Sequence, residues 1–424
     1  MFRYTGPGDG PSDRRARGRR PRLLTRRPGR VATAAGVGTT VVTVLPVFLV
    51  GGLSVQLAED TGLGPALLGI VVAVYWASAA VFSSSAGRLS ARIGSRLGMI
   101  TAASLGGVAL LGTAAWAPEW PWLVVWLVVA GAGNAIGHPP SNALIASRVS
   151  DRNRAFAFGL KQAAIPLATL CAGLAVPTLA LTVGWRWTFA IAGIVACIVI
   201  VVVALSVPSV PPLPRMRGKR ANRLPPELMR FLLLASLASA LGSAQANVIG
   251  AFTVSTATSV GYSAAAAGLI LSLGSVAGVI ARPVAGLAAD RGFGGTMATV
   301  SLMLGSGAVG LGGMAVGLPW SFAIGCILAF GLGWGWNGLL HYVVSHSSHP
   351  HSARATGIVQ SGAYVGSAAG PLVFGFLFDH AGTTVGWTAA AIVAAVAALA
   401  ALVAHHFRPG AAGIRTAPMK GRTA

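Results

Sequence analysis

Apolar runs of roughly 20 residues follow one another from about Val41 to His405, and this succession limits the fold more than any other feature of the chain. Wound as a helix at about 1.5 Å per residue, such a run crosses the roughly 30 Å of hydrocarbon in a bilayer. Inside lipid every backbone N–H and C=O needs an internal partner, which leaves helices and closed barrels as the spanning structures. A barrel would show short alternating strands, and these runs do not alternate. Only 9% of the residues are charged and the mean hydropathy is +0.72, whereas soluble chains carry about 25% charged residues. The expectation is an all-α integral membrane protein.

The runs divide into spans near 38–57, 65–86, 97–117, 121–145, 155–180, 186–207, 229–253, 264–288, 296–317, 321–344, 354–377 and 384–405. The sequence thus predicts twelve transmembrane helices in two pseudo-symmetric six-helix bundles, 35–207 and 228–407. A disordered basic tail (1–34), a Pro-rich linker (208–227) and a second tail (408–424) complete the expected organisation. Cys171, Cys197 and Cys326 all lie in apolar spans without paired spacing, so they read as small hydrophobes rather than disulfide or metal partners.

A net charge of +22 would suggest nucleic-acid binding in a soluble chain, but its placement argues for topology. Residues 1–30 hold ten arginines against Asp9 and Asp13, and Arg215, Arg217, Lys219, Arg220 and Arg223 fill the linker. Arg88, Arg92 and Arg96, then Arg148, Arg152 and Arg154, then Arg291, Arg354 and Arg408 follow the even-numbered spans; the opposite loops hold little beyond Glu59, Asp60, Glu119, Arg186 and Asp379. Positive loops stay inside, so both termini are expected in the cytoplasm, in the cytoplasmic membrane, with no nucleic-acid partner.

The two halves repeat each other. The second span is followed by Gly87-Arg88-Leu89-Ser90-Ala91-Arg92-Ile93-Gly94, the eighth by Gly286-Leu287-Ala288-Ala289-Asp290-Arg291. The fifth opens Arg154-Ala155, then Gly159-Leu160-Lys161-Gln162, and runs to Gly184-Trp185; the eleventh opens Arg354-Ala355, then Gly357-Ile358-Val359-Gln360, and runs to Gly386-Trp387. A parallel six-plus-six duplication follows. On these residues nearly the whole chain resembles the major facilitator superfamily, whose loop after the second helix carries Gly-x-x-x-Asp-Arg-x-Gly and further basic residues. The first copy keeps Gly87, Arg92, Gly94 and Arg96 but has Ala91 where the acid belongs. The second has Gly286, Asp290 and Arg291, with its next glycine displaced to Gly294. The resemblance implies cytoplasmic latches made through charge pairs and helix ends, and alternating-access transport around a central cavity. Arg88, Arg92 and Arg96 read otherwise as topology determinants only.

Polar groups inside hydrocarbon are costly and therefore the first functional candidates. They are Gln56; Tyr75 and Trp76 on the second span; Asn134, His138 and Asn142 on the fourth; Lys161 and Gln162 on the fifth; Gln245 and Asn247 on the seventh; Arg282 on the eighth; Trp336, Asn337 and His341, with Trp334, on the tenth; and Gln360 and Tyr364 on the eleventh. Recurrence every four residues stacks Asn134, His138 and Asn142 on one helix face and does the same for Asn337 and His341. Trp334 and Trp336 lie near opposite faces, so at most one looks into a cavity. Interhelical hydrogen bonding competes with substrate contact at each position.

No Asp or Glu falls in the middle third of any span, while Lys161 and Arg282 lie within helices. A cavity with basic and without acidic charge favours anions; the competing readings are snorkelling and, for Arg282, a pair with Asp290. His138 and His341 are the proton-coupling candidates, because histidine titrates near neutral pH.

Other motifs yield less. Gly131 to Gly137 mimics a dinucleotide loop but lacks a preceding strand, and His346, His349 and His351 are too loosely spaced beside Pro350 for a metal. No catalytic constellation or cofactor motif is present. Gly366-Ser367-Ala368-Ala369-Gly370-Pro371 marks a close packing or bend. Drug/proton antiporters of the superfamily carry a similar pattern on helix five, where this chain has Val176-Pro177. The expected function is secondary active transport of a small organic or inorganic anion by a monomer in membrane lipid, with a coupled proton as a candidate partner. The alternatives are proton-coupled multidrug efflux and a ligand sensor that does not transport.

Overall fold

The computed structural model describes residues 26–209, 224–349 and 351–408. The leader up to residue 25, the centre of the linker and the tail from 409 lie outside the described residues, as does Pro350. Among the described residues all regular structure is helical. In chain order the elements are α1 (Arg26–Gly52), α2 (Ser54–Thr61), α3 (Pro65–Ala115), α4 (Trp120–Arg148), α5 (Arg154–Gln162), α6 (Ala164–Ala175), α7 (Trp185–Ser206), α8 (Pro226–Ser259), α9 (Ala264–Asp290), α10 (Met297–Ala315), α11 (Pro319–Leu328), α12 (Trp336–Ser347) and α13 (Ser352–His406). Proline opens α3, α8 and α11, where its missing N–H leaves no bond unmade. Ser263 and Thr296 cap α9 and α10 by accepting from the N–H groups of Ala266 and Thr299.

Ten helical segments among the described residues are long and apolar enough to cross a membrane. That is two fewer than the expected spans, for a local reason. α3 has 51 residues and α13 has 55, about 75–80 Å at the helical rise and more than twice the hydrocarbon thickness. Each runs through one non-helical glycine, Gly94 (φ 79°) and Gly382 (φ 85°). These lie where the sequence places loops, and their left-handed backbone favours glycine. Helix also begins at Arg26, so residues 26–34 belong to α1 and not to a disordered tail.

Spans five and ten are interrupted. α5 and α6 part at Ala163, and a π turn over Val176–Ala180 follows α6 at Pro177; a second π turn over Ala329–Gly333 separates α11 from α12. Such bulges rotate the side chains beyond them relative to a regular helix.

Small residues bring the parts before and after the linker into backbone contact. A Cβ on Gly51 of α1 would lie 2.7 Å from the Ala251 Cα of α8, one on Gly375 of α13 would lie 2.6 Å from the Pro65 carbonyl oxygen of α3, and one on Gly173 of α6 would lie 2.6 Å from the Gly268 carbonyl oxygen of α9. Close crossings of this kind drive helix association where lipid supplies no hydrophobic force. Leu205, Leu302 and Val309 are among many large apolar side chains left exposed, a surface suited to lipid rather than water.

Candidate substrate cavity

A cavity of about 880 Å³ opens among α4, α5, α9, α12 and α13. Its wall carries His138, Asn142, Lys161, Gln162, Arg282, His341 and Gln360. Arg154, Asp290, Tyr342, His346 and His349 lie nearer the mouth, at the end of the molecule that also holds Arg148, Arg291 and Arg354. A chamber of about 40 Å³ adjoins it, lined by Trp76, Asn247, Trp334, Asn337 and Tyr364 together with His138, Gln162 and Gln360. The three shared residues stand at the junction of the two spaces.

Lys161 is 1% exposed. Its Nζ donates to Asn142 Oδ1 at 2.6 Å and lies 3.3 Å from His138 Nδ1. Asn142 and His138 are an amide and an imidazole, and the one carboxylate among the described lining residues is Asp290. Asp290 is already engaged: it accepts from the backbone N–H groups of Ala155 (3.1 Å) and Phe156 (2.8 Å) at the start of α5. Its charge thus meets the positive end of a helix dipole. Gly286, one turn earlier, lets α5 approach α9, since a Cβ there would sit 2.6 Å from the Ala155 carbonyl oxygen.

Arg282 neither snorkels nor pairs with Asp290. Buried to 2% exposure, it donates through Nη1 to the Gln162 carbonyl at 3.0 Å and through Nη2 and Nε to the Trp334 carbonyl at 3.0 and 3.3 Å, with the guanidinium 5.1 Å from the Trp334 ring centre. The local sequence explains the first contact. The helical partner of the Gln162 carbonyl would be the N–H of residue 166, which is proline and has none.

At the junction Gln162 Nε2 donates to Asn337 Oδ1 at 3.0 Å, joining α5 to α12. His341 lies 3.0 Å from the Asn337 carbonyl through Nδ1 and 3.1 Å from Gln360 Oε1 through Nε2. A neutral imidazole donates to one of these oxygens and a protonated one to both.

Four expected cavity residues stand elsewhere. Tyr75 is fully buried and donates to the Thr43 carbonyl at 2.8 Å, bracing α3 against α1. Asn134 is 1% exposed and borders neither space; Gly131 and Gly133 press that turn of α4 onto α3. Gln245 donates to the Gly333 carbonyl at 2.9 Å, a group on the second π turn. Trp336 is buried against Gly242 and Leu304, and Trp334 is the tryptophan that lines the chamber. Counting faces at 100° per residue through the Ala329–Gly333 turn misses that rotation, and glycines at 331, 333 and 335 are its sequence signal. Ser243 and Ser367 also line the chamber and drew no notice in the sequence, because serine is common within membrane helices.

Of the loop motif's first copy, Gly87 and Arg92 are exposed, Arg96 is half-buried and Gly94 forms the break in α3. Arg291 in the second copy is also exposed. No group of three or more His, Cys, Asp or Glu able to hold a metal occurs among the described residues.

A helical bundle with lipid-suited flanks and a cationic central cavity defines a polytopic membrane transporter. The family model of the Major Facilitator Superfamily matches residues 29–244 and 231–421, and the chain belongs to that family. No curated protein matches it. Its fold is similar to the crystal structure of a D-xylose-proton symporter, with a TM-score of 0.71, 19% identity, and 90% of this chain and 97% of that chain covered. It is also similar to the human organic anion transporter MFSD10 (TETRAN), with a TM-score of 0.66, 16% identity, and coverage of 88% and 99%.

Proposed function

We propose that this transporter moves a small organic or inorganic anion across the cytoplasmic membrane by alternating access between two six-helix bundles. Lys161 carries the anion reading: a buried ammonium on the cavity wall whose hydrogen-bond partners are neutral. A buried charge is costly unless paired. With Asp290 committed to the start of α5, an anionic substrate supplies the missing charge. The test is a thermal-shift screen of purified protein against anions, cations and lipophilic drugs, since a ligand preferring the folded state raises its stability. Anions are expected to stabilise the wild type and not Lys161→Met, with Lys161→Arg partly retaining the effect. Equal stabilisation of Lys161→Met would sink the reading; stabilisation by lipophilic cations would favour multidrug efflux, and binding without vesicle uptake would favour a sensor.

Division of α3 at Gly94 and α13 at Gly382 gives twelve spans, six on each side of the linker. The two family-model matches, one over each half, support that division. The distribution of basic residues supports a cytoplasmic location for both termini and for the cavity end that holds Arg154 and Asp290. Single cysteines at Ser209 and Ser347 are then expected to react only from inside and one at Thr383 only from outside; an outside label on either of the first two contradicts this topology. The reading involves no covalent chemistry and no cofactor, so an ion or substrate gradient supplies the energy. His341, between two acceptor oxygens, is the group best placed to carry a coupled proton.

A further inference from the structure

The inner chamber has a chemistry of its own. Three residues that line it each leave one buried polar atom without a hydrogen-bond partner: Trp76 Nε1, Gln162 Oε1 and Asn247 Oδ1. Trp76 and Asn247 are 7% and 4% exposed. The other ends of both amides are occupied, Gln162 Nε2 by Asn337 Oδ1 and Asn247 Nδ2 by the Ser243 carbonyl and Ser367 Oγ at 2.9 Å each. The Ser243 carbonyl, which can only accept, fixes the Asn247 amide with its oxygen unsatisfied. Such atoms occur away from the cavities too, as at Asn134, Trp336 and Trp387, and what sets those of Trp76, Gln162 and Asn247 apart is that all three residues line one chamber.

The set comprises one N–H donor and two amide oxygens. A carboxylate or inorganic anion has no proton to offer those oxygens and is repelled by them. A hydroxyl matches, since it accepts from the indole and donates to an amide, and a neighbouring hydroxyl serves the second oxygen. A volume of about 40 Å³ admits a group of that size but not a drug-sized ring system. The tilted Trp76 and Tyr364 rings, 6.4 Å apart, offer apolar faces to the C–H groups between hydroxyls. Lys161 stands at the other side of the junction that His138 and Gln162 share.

We infer that the substrate is a hydroxylated carboxylate, whose carboxylate pairs with Lys161 in the large cavity and whose hydroxyl groups enter the chamber formed by Trp76, Gln162 and Asn247. This rests on the anion reading and narrows it: small inorganic anions and simple fatty acids are excluded as preferred substrates.

The test compares matched probes on the purified full-length protein by calorimetry and by competition: glycerate against propionate, gluconate against hexanoate, with nitrate and sorbitol as controls. At least one hydroxy acid is expected to bind about tenfold or more tightly than its deoxy partner, because a site built to hydrogen-bond a hydroxyl rejects the analogue lacking it. Trp76→Phe, which keeps an aromatic ring and deletes the N–H, is expected to reduce that ratio severalfold. Asn247→Leu provides a second removal of a partner. If every hydroxy acid binds no better than its deoxy partner, or nitrate binds best, the hydroxyl inference is overturned while the anion reading stands. If sorbitol binds as well as gluconate, the anion reading itself fails.

Discussion

Asp290→Asn isolates the contribution of one helix-end contact to the conformational equilibrium. The carboxylate accepts from two backbone N–H groups at 3.1 and 2.8 Å at the first turn of α5. Asparagine offers one oxygen in place of two and no charge, so one bond is lost and the other becomes a neutral one. Bonds to charged groups contribute about 1.5–3 kcal/mol and neutral ones about 0.5–1.5, and a charge at a helix end adds roughly 0.3–1 kcal/mol. Asp290 is half-buried, so solvent takes back part of this, leaving a net bias of about 1.5–2 kcal/mol, or roughly 10- to 30-fold in the ratio of forms with α5 and α9 joined at this end to forms with them parted. The assay is the alkylation rate of cysteines placed singly along the cavity-facing side of α5, in a background lacking the native three, with ligand binding measured alongside. Faster labelling with retained binding is expected, because the acid biases an equilibrium and touches no substrate. Ala91→Asp restores the acid that the first copy of the loop lacks and is expected to slow labelling near the start of α13. Labelling rates within about twofold of the parent for Asp290→Asn would refute the reasoning, since a contact of this strength must show in the populations.

Arg282→Lys keeps the charge but reaches only one of the Gln162 and Trp334 carbonyls, leaving a buried acceptor unmet at about 1–3 kcal/mol. Thermal stability is expected to fall while anion affinity stays within about threefold; the reverse pattern would make Arg282 a substrate ligand. Reconstituted His341→Gln is expected to lose proton-driven accumulation yet still exchange substrate, whereas His138→Gln, which removes a neighbour of Lys161, keeps accumulation. Normal accumulation in both and in the double variant would exclude histidine from coupling.

The membrane class, the helical fold and most cavity residues were legible in the sequence because hydrocarbon punishes every exception. Most polar side chains at mid-depth bond another helix or line a cavity, Asn134 being an exception that does neither, and the short roster of such residues includes Lys161, Gln162, His341 and Gln360. Which of the two roles each plays was not legible. Asn142 and Asn134 share a face of α4 by spacing, yet the glycines around Asn134 press it into α3 while Asn142 faces the cavity. Trp334 and Trp336 exchange roles because a π turn, set by a run of glycines, shifts the register just before them. Long-range partners such as the Asp290 contact with α5 depend on how helices far apart in sequence approach, and no local pattern encodes that approach beyond the small residues that permit it.

The two buried cations show why composition alone overstates the positive charge offered to a ligand. Arg282 is held by carbonyls that helix breaks leave available, one on each side of the linker, and its fork is largely spent on backbone. The partial negative charges of those oxygens offset its field, and the geometry leaves little freedom to turn toward an incoming group. Lys161 is bound instead to the side chains of Asn142 and His138, and lysine carries its charge as a compact point on a flexible stem. Two residues that look alike in sequence thus differ in their partners, backbone carbonyls for Arg282 and side chains for Lys161. Under the proposed anion reading Lys161 would pair with one anionic group, and the rest of the substrate would be recognised by neutral hydrogen bonds, since Asp290 is the one carboxylate on the described wall.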